Sequence, residues 1–180
     1  MSRLLSRDIA LWLAVFLAYP LAGGLGRLIA NPAEGLVFAF VTAAVAGAIL
    51  GAAQWLALGR QPSPVPWIGA TALGLGISFA IVQAVGATSS TAAPIIGAIT
   101  GLGVGSAQSF VRSDRVPSAV IWIPTMGIAW AVGWIVTTSI GVQAEAGWPV
   151  VGVSGALVAQ ALSGLVLATL GRRRSQPALA

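Results

Sequence analysis

Six long apolar stretches, at about 9–29, 36–58, 66–86, 93–111, 118–140 and 147–170, take up most of this chain and leave only short connections. A helix needs roughly 20 apolar residues to cross the ~30 Å hydrocarbon layer of a bilayer, and each stretch is of that order. In lipid the backbone must satisfy its own hydrogen bonds, so helices are the form such stretches take. Composition agrees. Charged residues are 7% of the chain and the mean hydropathy is +0.94, where a soluble domain carries about 25% charged residues. The expectation is a single all-α, polytopic transmembrane domain over residues 1–180. Arg3 and Arg7 ahead of an apolar run also suit a signal peptide. The run outlasts an ordinary h-region, however, and Trp12 is in phase with later repeats, so it is expected to stay as the first helix.

Trp12, Trp67 and Trp122 stand 55 residues apart, and Gly47, Gly101 and Gly155 stand 54 apart. Such a period marks one supersecondary unit written three times. Here the unit is an odd helix, an outer loop and an even helix, at about 8–60, 64–115 and 117–174. Three units inserted in the same orientation predict parallel two-helix repeats around a pseudo-threefold axis. The even helices carry Gly47-x-x-x-Gly51, Gly101-x-x-x-Gly105 and Gly155-x-x-x-Ala159. Small residues four apart share a helix face and let a neighbour approach, which suits membranes because lipid gives apolar faces no reason to associate. The economical arrangement packs the even helices on each other around the axis through these faces. Trp12, Trp67 and Trp122 are expected near the inner interface, with Trp148 anchoring the outer end of helix six, because indoles favour the headgroup level. Pro20, inside the first stretch, predicts a kink.

Charge sets the orientation. Arg3, Arg7, Arg60, Arg112, Arg115, Arg172, Arg173 and Arg174 all fall on one side of a six-helix chain, and only Arg27 falls on the other. Positive residues in short loops stay cytoplasmic, so both termini are placed inside, in the bacterial cytoplasmic (inner) membrane. The basic inner face is read as topology signal and as contact with anionic lipid headgroups, Arg172–Arg174 foremost, and not as a nucleic-acid surface.

The stretches Gly47-Ala-Ile-Leu-Gly51-Ala-Ala-Gln54-Trp55-Leu-Ala-Leu-Gly-Arg60 and Gly101-Leu-Gly-Val-Gly105-Ser-Ala-Gln108 resemble uncharacterised bacterial polytopic membrane proteins marked by a GxxxGxxQW-type helix ending in arginine. Trp67 after the Arg60 turn fits that pattern. The second copy departs from it with Ser109 where Trp55 stands, and the third has Leu162 in place of glutamine. The resemblance implies fold and location and no activity.

Cysteine, histidine and lysine are absent, which removes thiol chemistry, Cys/His metal sites and Schiff bases, so no cofactor is expected. Serines and threonines have no His, Lys or placed carboxylate to activate them, and an enzyme is not expected. Asp8 and Asp114 lie at helix ends among arginines, where exposed ion pairs belong. Gln54 and Gln108 hold equivalent places three residues after a repeated glycine. A buried amide is costly in hydrocarbon unless paired, so both are expected to face protein, with Gln160 and Gln83 as further candidates for a small polar site. Two functions follow. One is a structural or interaction bundle, a scaffold or complex subunit, with a membrane-protein partner or a second copy of itself. The alternative is a passive facilitator, channel or substrate-binding subunit with a polar site between the even helices. A cavity lined by Gln54 and Gln108 would favour the second.

Overall fold

A computed structural model describes residues 2–31, 33–87, 89–111, 113–142 and 153–174, and those residues form helices joined by short turns. The helices are α1 (Ser2–Ala14), α2 (Ala18–Ala30), α3 (Gly35–Ala57), α4 (Pro64–Ala84), α5 (Ala93–Ser109), α6 (Ala119–Ser139) and α7 (Val153–Arg174). Among the described residues, six spans are long and apolar enough to cross a membrane: Arg7–Ala30, Gly35–Ala57, Pro64–Ala84, Ser90–Ser109, Ala119–Ser139 and Val153–Leu170.

The first span is α1 and α2 joined by a tight 3-10 turn at Val15–Leu17. Pro20 explains the break. It offers no N–H to the carbonyl of Phe16, and its ring crowds that carbonyl, so the helix tightens one turn before the proline. α4 starts with Pro64 at its first position, where a missing N–H is harmless. α4 and α6 stop at Gly86 (φ 68°) and Gly141 (φ 84°). Each of these left-handed residues lets the chain turn back and bond the last carbonyls: Gly86 N–H to Gln83 and Ala87 N–H to Val82, then Gly141 N–H to Thr138 and Val142 N–H to Thr137.

Each span packs on the next in sequence. α2 lies on α3, α3 on α4, α4 on α5, α5 on α6 and α6 on α7, and α7 returns to α1. The result is a closed ring of six spans. This corrects the expected axial cluster of even helices. A Cβ on Gly47 would lie 2.7 Å from the Thr71 carbonyl oxygen and 2.8 Å from Ala72 Cα, and one on Gly51 would lie 3.1 Å from Ile68 Cα. Gly101 and Gly105 face Met126, Gly127 and Ile123 in the same way. The glycines of α3 and α5 therefore seat the following odd helix, not one another. Gly155 of α7 faces back onto Gly133 and Thr137 of α6, and Ala159 is buried one turn further on. A small-xxx-small face licenses a close neighbour without naming it.

One end of the ring holds the turns that carry Arg60 and Arg115. Arg115 pairs with Asp8 of α1 at 2.9 Å, both side chains about half exposed, as expected of Asp8 and worth little in water. The Arg60 guanidinium lies over the Trp55 ring, 5.6 Å from its centroid, and the Trp55 indole donates to the Pro62 carbonyl at 2.9 Å. Trp148, Arg112 and the side chains of Arg172, Arg173 and Arg174 lie outside the described residues.

Candidate functional site

The half of the ring nearer the arginines is closed by a buried polar cluster with Gln108 at its centre. Gln108 Nε2 donates to Gln54 Oε1 (2.8 Å) and to Thr71 Oγ1 (3.0 Å), and Gln108 Oε1 accepts from Trp122 Nε1 (3.0 Å). Thr71 passes its own proton to the Trp67 carbonyl at 2.9 Å. Trp12 Nε1 donates to Ser163 Oγ at 3.0 Å, and Ser163 donates to the Ala159 carbonyl at 2.7 Å. The Trp12 and Trp122 rings meet edge to face, centroids 6.2 Å apart, so the two groups are continuous across the ring.

All of these side chains are buried; Gln108, Trp67 and Trp122 show 0% exposure. That overturns the interfacial role expected of Trp12, Trp67 and Trp122. An indole at the headgroup level would keep one edge in water. Here the rings fill the interior, and neighbouring spans supply acceptors for Trp12 and Trp122, the condition for burying an N–H in an apolar setting. Trp67 Nε1 is buried without a partner. Gln54 and Gln108 do face protein and meet each other. Gln160 is buried on α7 but takes no part in the Gln108 network. Thr71 and Ser163, which complete the cluster, were not singled out by sequence reasoning.

The other half of the ring is hollow. A cavity of about 430 Å³ is walled by side chains from all six spans. Tyr19, Ala22, Gly23 and Arg27 come from α2; Phe38, Ala39, Thr42, Ala43, Ala46 and Leu50 from α3; Leu75, Phe79, Val82 and Gln83 from α4. α5 adds Ile96, α6 adds Trp130, Gly133, Trp134 and Thr137, and α7 adds Gly155, Ala156 and Ala159. Neither Gln54 nor Gln108 is in this wall; of the glutamines considered, only Gln83 is. The volume falls in the roughly 300–1,000 Å³ range of small-molecule pockets, and the mixture of apolar walls with a few polar groups is typical of them.

Polar groups gather in the half of the cavity away from the plug. Gly26 lies against the Thr42 backbone, so Thr42 is beside the last turns of α2, where Arg27 is exposed. Gln83 is one residue from the end of α4 and exposed, and Thr137 is two residues from the end of α6. Thr42 stands apart from the other buried hydroxyls of the described residues. Thr71, Thr100, Thr125, Thr138, Ser78, Ser109 and Ser163 all bond the carbonyl four residues back. Thr42 Oγ1 is buried and has no partner.

Compared with known protein families, with characterised proteins and with solved structures, the chain matches none. Function must be argued from the cavity and the cluster. Among the described residues no group of three or more His, Cys, Asp or Glu is placed to hold a metal ion. With histidine, cysteine and lysine missing from the whole sequence, what the arrangement offers chemically is shape, apolar contact, neutral hydrogen bonding and the Arg27 guanidinium at one end.

Proposed function

We propose that this chain is a non-enzymatic, multi-pass protein of the bacterial cytoplasmic membrane that binds a small, largely apolar molecule inside its ring of helices. The carrying observation is the cavity of about 430 Å³ walled by all six spans. A lipid-embedded bundle gains from close packing, and an unfilled void forfeits the contacts its lining would make. A hollow at this position therefore favours an occupant. The Gln54–Gln108 cluster is the structural plug of the other half, the Gln108 amide spent on Gln54, Thr71 and Trp122.

Both termini are assigned to the cytoplasm by the arginine distribution, which puts the plug on the cytoplasmic side and the cavity on the outer side. The proposed three-unit repeat has support in the cluster. Gln108 bonds the tryptophan of the following odd helix, and Ser163 bonds Trp12, the tryptophan that follows it around the ring. Anionic lipid headgroups are the partners proposed for the arginine end.

The second reading is a structural or interaction bundle, joined to a membrane-protein partner or to another copy. One observation favours it: the most polar buried groups are engaged with each other and withheld from the cavity. Native mass spectrometry of protein released from mild detergent separates the two. The binding reading expects a small-molecule adduct whose occupancy falls when Ala46→Leu or Ala156→Leu narrows the cavity, and which persists in Gln54→Leu. Bare protein throughout would leave the structural reading in place.

A further inference from the structure

We infer that the occupant is a single-chain amphiphile: one linear hydrocarbon chain lying along the helices, its polar head in the part of the cavity between Thr42 and Gln83. This rests on the binding reading above and names the ligand class for that cavity. The first observation is shape. Along α2 the wall runs from Tyr19 to Arg27, and along α3 from Phe38 to Leu50, which at 1.5 Å per residue is about 12 and about 18 Å. Carbon–carbon bonds near 1.5 Å, zigzagging at tetrahedral angles, cover that depth with a chain of roughly ten to fourteen carbons. A two-chain lipid would not fit in 430 Å³.

The second observation is the polarity gradient. Leu50 and Leu75 line the end next to the plug, and Tyr19, Phe79 and Trp130 line the middle, with Tyr19 and Trp130 tilted against each other at 6.2 Å. Arg27, Gln83 and Thr137 line the opposite end, and Thr42 lies about one turn inward of Phe38. A chain therefore meets mainly apolar surface over its length, the Tyr19 phenol and Trp130 indole aside, and a guanidinium, an amide and hydroxyls towards its head. The third observation is the Thr42 hydroxyl. Among the described residues it is the one buried hydroxyl without a hydrogen-bond partner, and it lies along the wall away from the plug. A polar head brought there by a small rotation of the side chain satisfies it.

The indoles of Trp130 and Trp134 lie in the wall one turn apart, about 6 Å along α6, Trp130 being the nearer to the plug. Bromine quenches an indole it touches, so brominated chains report both binding and direction. The protein is placed in nanodiscs of saturated phosphatidylcholine and titrated with 12-bromododecanoic acid, 2-bromododecanoic acid and, as a compact apolar probe, bromobenzene. The inference expects saturable quenching by both acids. Tail bromine should act on the emission that Trp130→Phe removes, and head bromine on the emission that Trp134→Phe removes. Ala46→Leu and Ala156→Leu should each weaken the apparent affinity by roughly tenfold or more, with helical circular dichroism unchanged.

Saturable quenching by bromobenzene that those two variants abolish, with none by either acid, would overturn the chain class and leave a binding cavity. No saturable quenching by any probe would overturn both. Quenching by the acids that neither leucine variant weakens would place the chains in the bilayer and defeat the inference. Tail bromine acting on Trp134 would reverse the chain and defeat the head assignment.

Discussion

Gly101→Leu should be among the most damaging single substitutions in the ring. A Cβ at Gly101 would collide with the Met126 carbonyl oxygen, lie 2.7 Å from the Met126 carbonyl carbon and 2.9 Å from Gly127 Cα. These are backbone atoms of α6, held by its own hydrogen bonds, so they cannot swing aside as a side chain would. α5 and α6 must separate to admit leucine, at a cost of about 3 kcal/mol, the upper part of the range for overpacked interiors. Gly105→Ala should cost less, because the nearest atom there is Met126 Cβ at 3.0 Å and part of that side chain can yield. Gly69, which has nothing within 4 Å, is the control and should accept leucine. Thermal unfolding in detergent ranks the three. Equal stability of Gly101→Leu and Gly69→Leu would mean that α5 and α6 do not meet as described.

The second large effect is expected at Gln108. Its amide joins Gln54, Thr71 and Trp122 from three other spans. Gln108→Leu leaves the Trp122 N–H and the Gln54 carbonyl buried without partners, and stranded buried groups cost about 1–3 kcal/mol each. The unfolded chain in a membrane also finds partners and pulls such numbers down, so a loss of about 2–3 kcal/mol is expected. Gln54→Leu removes only the shared bond and should cost less. The double variant should fall short of the sum, because both single changes delete the same interaction. Additive losses would show that Gln54 and Gln108 act apart. Unchanged stability of Gln108→Leu would remove the plug from the account.

Much of the fold is legible in the residues because hydropathy and proline act locally. The first five stretches correspond to their spans within about three residues, the sixth ends with its span while its start at 147–152 lies outside the described residues, and the kink expected of Pro20 appears as the turn at Val15–Leu17. Two glutamines in one repeat position announce a shared interior place, because an amide in lipid has no other refuge. What stayed hidden depends on neighbours. Gly47 and Gly101 are visible as close-packing sites, but a bare helix face does not say whether α4 or α5 will lie on it. Trp12 and Trp122 look like interfacial anchors until their acceptors are known, and those acceptors are distant in sequence: Ser163 and Gln108. Ser163 was missed for a specific reason. The glycine period of 54 lands on Leu162, while the tryptophan period of 55, counted from Gln108, lands on Ser163. The cavity has no sequence signature at all, since Ala43, Ala46, Phe79 and Trp130 would read the same facing lipid.

Cysteine accessibility tests the central claim, a pocket reached from the end away from Arg60 and Arg115 and plugged beside them. The chain has no cysteine, so single substitutions report without background. Gln83→Cys, Ala39→Cys and Ala46→Cys line the cavity, and Gln54→Cys and Thr71→Cys sit in the plug. In oriented vesicles, a small membrane-impermeant thiol reagent added opposite the termini should label all three cavity positions, fastest at 83 and slowest at 46. It should leave 54 and 71 unlabelled from either side. Labelling of 46 only from the side of the termini, or labelling of 54 and 71 as readily as 46, would contradict it.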